Sequence, residues 1–278
     1  MVVGDVGVCV LMGPSQVLVG VWSTLGTADQ TDECTICTAP GSRRSVRCVG
    51  ASYSQFCPVA KAMELLDERW TLLVIRELMM GSEHFNQLRR GLPRMSPTLL
   101  SRRLQQLVRA GIITREESDD AVHYRLTEAG EELRPVVLAL GTWGTRWIPD
   151  LADPDLDPKL LLWDMHRNVD LERVPPRRTV VAFEFGDVEA EVARWWLMLS
   201  ADEVDVCDDD PGDEPAARVQ TSLRTLTEVW RGDRTWASAL GDESMRVLAS
   251  GDVARALPGW FLLSPFASVP RPEVVAPH

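Results

Sequence analysis

Apolar residues recur at helical spacing in four successive segments of the first half of the chain, each bounded by residues typical of helix ends. The first segment is predicted to begin at Pro58, a favourable first helical residue, and the second to span residues 68–80. Ser82 suits the N-cap of a short third helix, and residues 91–93 supply a turn into the fourth. A short helix, a tight turn and a further helix in this order predict a helix-turn-helix arrangement.

The fourth helix is predicted to have one apolar face and one polar face. Ser96 suits its N-cap, Pro97 its first helical position and Gly111 its C-terminal stop. The apolar residues that share one face are Leu100, Leu104, Leu107 and Val108. The polar face carries Thr98, Ser101, Arg102, Gln105 and Arg109, with Arg103 and Gln106 on its flank. Such a helix packs on the protein with its leucines and presents arginine and glutamine outward.

Two segments with alternating apolar and polar residues follow the fourth helix and predict a β-hairpin. Residues 112–116 and 122–126 form the strands, and residues 118–120 form the turn. Two strands after a helix-turn-helix make a wing, so the sequence predicts a winged helix. Thr127 caps a further helix that runs to about Trp147 and contains Pro135. Its apolar face exceeds what a small domain needs, which favours contact with a second subunit; packing on the C-terminal half is the alternative.

Proline residues mark a linker from about residue 150, and the pattern beyond it changes to that of strands. A short helical stretch over residues 160–169 contains His166, for which a structural or surface role is expected because no second His or Cys lies nearby. Several strands followed by helices indicate an α+β module. The predicted strands are residues 178–185, 193–199, 204–207, 217–222 and 245–248, and the predicted helices are residues 223–230, 235–240 and 252–257.

The charge distribution separates the middle of the chain from its end. The formal net charge is -12, yet residues 84–115 contain seven arginines and no Asp or Glu. Residues 151–278 hold 24 acidic and 13 basic residues, so the C-terminal half is not expected to bind nucleic acid. The length of 278 residues suits about two domains.

The arginine-rich stretch supplies the candidate contacts to double-stranded DNA. Arginine and glutamine recognise guanine and adenine edges in a major groove, and Ser and Thr suit phosphates or bases. A solvated polar face is the alternative interpretation of such a helix. The predicted DNA contacts are Arg89, Arg90, Arg94, Ser96, Thr98, Ser101, Arg102, Arg103, Gln105, Gln106 and Arg109.

From Phe56 to about Ile148 the motifs resemble the HxlR-type family of bacterial winged-helix regulators. The matching segments are Phe56-Cys57-Pro58-Val59, residues 69–78, 85–88, 96–104, 111–115 and 124–130. The resemblance implies transcriptional regulation, with a repressor expected, by a homodimer whose two recognition helices enter successive major grooves of a pseudo-palindromic operator. It also implies no enzymatic activity. The wing departs from a phosphate-binding surface because it carries Glu116, Glu117, Asp119 and Asp120.

Cysteines give two further candidate sites. Cys57 is predicted at a helix N-terminus, where the macrodipole favours a thiolate, and some proteins of the family that it resembles sense oxidants through a cysteine there. A half-buried structural cysteine is the alternative. Cys34 and Cys37 form a single CxxC pair without histidine, so a metal site is not predicted.

Residues 177–264 resemble the sterol-carrier-protein-2-like (SCP2-like) fold, most clearly from Val219 to Asp233. In that family the sheet and helices enclose an apolar tunnel, so the resemblance implies a site for a small hydrophobic effector. A lipid carrier without coupling to DNA binding and a purely structural module are the alternatives. The candidate pocket residues are Trp195, Trp196, Leu226, Trp230 and Trp236.

The predicted fold class is therefore α+β, an N-terminal winged helix-turn-helix domain followed by an SCP2-like domain. No cofactor, no metal and no membrane segment are predicted, and a cytoplasmic location is expected. Residues 1–52 are predicted to be a disordered tail, with an early translation start as the alternative. The other predicted boundaries are 53–149 for the winged helix, 150–176 for the linker and short helix, 177–264 for the second domain and 265–278 for a second disordered tail.

Overall fold

The computed structural model of the chain describes residues 52–118, 121–148, 150–200 and 203–272, together with the strand backbones of residues 8–12 and 17–21. Residues 1–43 and 44–278 form two compact units. In the first unit, β1 (Val8–Met12) pairs antiparallel with β2 (Val17–Val21), within the stretch predicted to be a tail. Valines at alternate or adjacent positions suit such a strand pair. Cys34 and Cys37 lie outside the described residues.

The winged helix occupies the first part of the second unit. Its helices are α1 (Pro58–Leu66), α2 (Thr71–Met79), α3 (Phe85–Gly91), α4 (Pro97–Ala110), α5 (Glu128–Glu131) and α6 (Arg134–Trp147). The wing is the antiparallel pair β3 (Ile113–Glu117) and β4 (Val122–Leu126). Leucines and isoleucines from α2, α3, α4 and β3 form one buried core, closed on one side by Val137 of α6.

Two helix starts differ from the sequence prediction. The second helix begins at Thr71 rather than at residue 68, because Trp70 has a left-handed backbone with φ of 79°. The third helix has His84, not Ser82, as its N-cap, and the Gln87 Oε1 accepts a hydrogen bond from the His84 backbone nitrogen at 3.0 Å. Ser82 is instead buried, and its hydroxyl donates to Glu77.

The C-terminal part is an α+β layer structure that we call the appended module (residues 150–272). Its five-stranded sheet has the order β7-β6-β5-β8-β9, in which only the β5–β8 pair is parallel. The strands are β5 (Thr179–Phe185), β6 (Arg194–Leu199), β7 (Val204–Cys207), β8 (Ala217–Thr221) and β9 (Met245–Ala249). The helices are α7 (Pro158–His166), α8 (Leu223–Arg231), α9 (Trp236–Gly241) and α10 (Gly251–Ala256).

The core of the appended module lies on one face of its sheet. Phe183, Trp195 and Leu197 point into this core, where Leu226 and Trp230 of α8 pack against them. Helix α7, predicted as a short helix after the linker, also belongs to this core through Leu161, Leu162 and Met165. On the opposite face a smaller cluster contains Val180, Ala182 and Trp196.

The segment after the last helix is packed rather than extended away as a tail. The Phe266 ring lies against Gly141 of α6, and a Cβ at Gly141 would come within 2.2 Å of it. Arg271 donates to the Arg231 carbonyl oxygen at 2.9 Å and pairs with Asp233. These contacts account for the difference from the predicted tail over residues 265–272; residues 273–278 lie outside the described part of the chain.

Candidate nucleic-acid interface

Helix α4 begins and ends through the signals that its sequence predicts. The Ser96 hydroxyl accepts a hydrogen bond from the Leu99 backbone nitrogen, and Pro97 occupies the first helical position. At the other end Gly111 has φ of 78°, a left-handed conformation that favours glycine. Leu100, Leu104 and Leu107 are fully or almost fully buried, which anchors α4 on the core beneath it. The opposite face of α4 is thereby directed outward.

That outward face carries the polar residues predicted to recognise DNA. Arg102, Gln105 and Arg109 make no side-chain hydrogen bond or ion pair to any other described residue. They follow one another at three- and four-residue spacing, so they share one side of the helix. Exposed positions of this face and of the N-cap are Ser96, Thr98, Ser101, Arg102, Gln105 and Arg109. We call this set the α4 outer face.

Arg103 corrects the sequence-based assignment of the arginines on α4. Its side chain is buried, 7% exposed, and pairs with Glu68. Its guanidinium also donates to the Arg69 carbonyl oxygen at 3.1 Å and to the Gln106 Oε1 at 2.7 Å. Arg103 therefore connects α4 to the start of α2, and Gln106 accepts a hydrogen bond from Arg103. The buried Arg103 is therefore not available to DNA, while Gln106 is partly exposed with its Oε1 already accepting from Arg103.

The arginines before α4 are divided between solvent and the appended module. Arg89 and Arg94 are exposed, and neither pairs with a described acidic residue. Arg90 lies over the Trp163 ring at 5.3 Å and within 3.8 Å of the Asp205 carboxylate. Both partners belong to the appended module, but the Arg90 side chain is still 48% exposed, so its assignment as a DNA contact stays a prediction. A sequence pattern on α3 alone contains no signal for this contact.

The wing arginines are paired with acidic residues of the same surface. Arg125 donates to Glu83 and to Glu116, each at 3.0 Å, and Arg115 pairs with Glu117. The Arg125 guanidinium, hydrogen-bonded to Glu83, holds the pKa of that carboxyl below its ordinary value. The described part of the wing thus presents no excess positive charge to a phosphate backbone. Asp119 and Asp120 lie outside the described residues.

Cys57 lies at the N-cap of α1, as the sequence predicts, and is partly exposed. Its side chain makes no capping hydrogen bond. Within the described residues no group of three His, Cys, Asp or Glu side chains is arranged to hold a metal ion. Every helix in the same residues is too short or too polar to span a membrane.

The five predicted pocket residues of the appended module do not line one cavity. Trp195, Leu226 and Trp230 fill the core, while Trp196 lies on the other sheet face, as expected for neighbours in a strand. Trp236 is the member that lines a pocket, of about 480 Å³. The remaining walls of this pocket are Gly232, Arg234, Thr235, Leu263, Ser264, Ala267 and Ser268.

Comparisons with known proteins place this geometry among DNA-binding regulators. The family described as HxlR-like helix-turn-helix matches residues 65–152. An HTH-type transcriptional regulator of Mycobacterium tuberculosis is 37% identical over 132 residues, covering 42% of this chain and 83% of the relative. The HTH-type transcriptional regulator YvaP of Bacillus subtilis is 34% identical over 105 residues, covering 36% and 97%. The reduced form of the transcriptional regulator YodB from B. subtilis shares 31% identity at a TM-score of 0.31, covering 34% and 95%.

Proposed function

Because the chain belongs to the HxlR-like family of helix-turn-helix transcriptional regulators, we propose that it represses transcription by inserting α4 into the major groove of an operator. The observation that carries this proposal is the α4 outer face, where arginine and glutamine side chains are exposed and unpaired opposite a buried leucine face. Arg102 and Gln105 are the proposed base-reading residues, since these side-chain types form paired hydrogen bonds with guanine and adenine. Arg89, Arg94 and Arg109 are the proposed phosphate contacts.

Selection of bound sequences from a random DNA pool tests operator binding directly. Arg102→Ala and Gln105→Ala are expected to weaken binding to the selected sequence and to relax its preference at single base positions. Arg89→Ala is expected to lower the affinity for all DNA sequences alike and to reduce the salt dependence of binding by the equivalent of about one phosphate contact. Arg255→Ala, a charge removed from the exposed surface of the appended module, is the matched control. Unchanged binding in both α4 variants refutes this orientation of the helix.

A homodimer is part of the proposal, because α1 and α6 leave a large apolar surface exposed. Trp143 and Trp147 of α6 are 56% and 57% exposed, and Val59 of α1 is 69% exposed. Trp143 and Trp147 are four residues apart and share one side of α6, and large exposed apolar side chains in such a group are typical of an interface with another protein. Two recognition helices spaced by about 34 Å would then fit successive major grooves. Sedimentation of Trp143→Glu beside the parent protein tests this, and an unchanged dimer refutes the assigned surface.

For the appended module we propose regulation by a small apolar effector bound in the pocket beside Trp236. Its volume of about 480 Å³ lies in the range typical of small-molecule sites. An SCP2-like identity of this module remains part of the proposal. An effector can act only if it binds the DNA-competent and DNA-free states with different affinity.

Titration with 1-anilinonaphthalene-8-sulfonate, followed by tryptophan fluorescence and by operator binding, distinguishes the three roles of the module. Coupled changes support an effector site, a fluorescence change alone supports an uncoupled carrier, and no change supports a structural module. Leu263→Arg is expected to fill the pocket and abolish the fluorescence change. Leu248→Arg is the matched control, because Leu248 is also exposed, at 52%, but lies on β9 and does not line the pocket.

A further inference from the structure

A buried carboxylate lies where α2, α3 and the appended module meet. Glu77 of α2 is completely buried, and its two oxygens are held by different arginines. Arg76 donates to Oε1 at 2.6 Å, and Arg167, which follows α7, donates to Oε2 at 3.0 Å. The Ser82 hydroxyl also donates to Oε2, at 3.3 Å. The appended module thus supplies one of the two positive charges that neutralise a carboxylate inside the winged helix.

The Arg167 guanidinium is itself fixed on three sides. It donates to the Asp164 carboxylate at 2.5 Å and to the Ser82 hydroxyl at 3.4 Å, and it lies over the Trp163 ring at 5.4 Å. The Trp163 ring also contacts the Arg90 guanidinium of α3. An arginine that is 12% exposed and held by several groups has lost its mobility already in the folded protein. It forms a rigid joint between the two parts of the chain.

Glu77 connects Arg167 to the end of α3. Its carboxylate packs on Gly91, the last residue of α3, so closely that a Cβ at Gly91 would lie 1.9 Å from Oε2. Arg76 donates to the Gly91 carbonyl oxygen at 3.3 Å. Gly91 opens the turn of residues 92–96 that leads into α4. The position of the Glu77 carboxylate therefore helps to determine where that turn begins.

We propose that Arg167 is a positioning residue for DNA binding, which acts from the appended module through Glu77 and Gly91 on the direction of α4. Arg167 itself does not touch DNA in this proposal. The inference rests on the proposed insertion of α4 into a major groove and adds a requirement for the appended module to that step.

Three variants of the full chain and one control test the joint. Arg167→Met removes the outer charge, Glu77→Gln removes the inner one, and the double variant removes both, so that neither member of the Arg167–Glu77 pair is left without the other, although Asp164 and Arg76 each lose one partner. Arg255→Met is the control, since Arg255 pairs only with the exposed Asp252 of the same module. Thermal unfolding establishes which variants fold. Operator affinity at several salt concentrations and amide hydrogen exchange over residues 85–110 are then measured.

Arg167→Met is expected to lower operator affinity about ten-fold, the size of coupling typical of buried neighbours. Its salt dependence should equal that of the parent, because no phosphate contact is lost. The folded double variant should also bind more weakly than the parent, and both should exchange faster over residues 85–96. The loss in the double variant should be smaller than the sum of the two single losses.

Three results would overturn the proposal. A folded double variant with parental affinity and parental exchange shows that the joint does not position α4. A salt dependence reduced by about one phosphate contact in Arg167→Met identifies Arg167 as a DNA contact instead. If the parent selects no DNA, the proposed function fails, and hydrogen exchange alone still decides whether Arg167 holds the α3–α4 turn: unchanged exchange refutes it and faster exchange upholds it.

Discussion

Arg167 and Glu77 are 90 residues apart in the sequence, yet Nη1 of the first and Oε2 of the second are separated by 3.0 Å. Both side chains are buried or nearly so, which distinguishes this ion pair from the many exposed pairs of the protein. Burial raises the pKa of the Glu77 carboxyl, but Arg76 and Arg167 outweigh this effect and hold the pKa below its ordinary value. The pair is thus ionised over the whole physiological pH range.

Glu77→Ala is expected to reduce the free energy of unfolding by about 3 kcal/mol, because two guanidiniums lose the carboxylate that neutralises them. Glu243→Ala is the matched control: Glu243 is 75% exposed and pairs only with the exposed Arg246, so a change within about 0.5 kcal/mol is expected. Urea denaturation of both variants measures the difference. Equal effects in the two variants would contradict a structural role for the buried pair.

Stability is expected to fall between pH 6.5 and pH 4 through His166. Burial, together with the nearby Arg167 and Arg90, lowers the pKa of His166 to about 4 from 6.5, although its hydrogen bond to the Trp163 carbonyl opposes this. The unfolded chain therefore binds a proton in this window that the folded chain does not. The contribution of His166 to the free energy of unfolding is complete above pH 6.5 and is lost as the pH falls towards 4, by about 3 kcal/mol.

Unfolding free energies of the parent and of His166→Phe, measured across this pH range, test the expectation. Phenylalanine keeps a ring beside Trp163, whose ring centroid lies 4.1 Å from that of His166, but cannot titrate. The variant should show a smaller decrease in stability from pH 6.5 to pH 4.5. Parallel curves for the two proteins would show that His166 does not contribute.

Substitutions of two adjacent arginines on α4 are expected to affect different properties, operator binding for Arg102 and stability for Arg103. Arg102→Met should leave thermal stability nearly unchanged and weaken operator binding about ten-fold, because its side chain is exposed and unpaired. Arg103→Met should destabilise the protein by about 2 kcal/mol, because the Glu68 carboxylate and the Arg69 carbonyl lose the buried guanidinium that pairs with them. Differential scanning calorimetry and fluorescence anisotropy with labelled operator separate the two effects. Loss of stability in Arg102→Met would contradict this division.

A methyl group added at Gly91, the last residue of α3, should reduce the free energy of unfolding more than one added at Gly111, which follows α4. Gly91→Ala should destabilise the protein by about 3 kcal/mol, since the new Cβ would overlap the Glu77 carboxylate in a close-packed site. Gly111→Ala should cost about 1 kcal/mol, because the space is open and only the left-handed backbone resists the side chain. Denaturation midpoints rank the two variants, and the reverse order would contradict the packing of Glu77 on Gly91.

The sequence predicts local structure well wherever a residue acts on its own helix or strand. The caps at Ser96 and Gly111 follow from side-chain and backbone preferences that need no tertiary contact. Arg103 could have been assigned inward, because it lies three residues after Leu100 and four before Leu107, on the buried face. Its long charged side chain favoured the outer surface in the sequence-based interpretation.

Contacts between the two halves of the chain leave no local pattern in the sequence. Nothing near Arg90 indicates that Trp163 and Asp205 approach it, and nothing near Glu77 indicates Arg167. The positions of the tryptophans in the appended module could not be predicted from the sequence either, because aromatic residues fill cores and line pockets equally well. Only the packing of α8 on the sheet separates Trp230, in the core, from Trp236, beside the pocket.

The pairing of Arg115 and Arg125 with wing glutamates has a consequence for the protein's search of a chromosome. Attraction to random DNA comes almost entirely from unpaired positive charge, and these two arginines of the wing offer none. An acidic protein with a neutralised wing therefore spends little time on unrelated sequence. If α4 binds an operator as proposed, fewer copies per cell then suffice to keep that operator occupied.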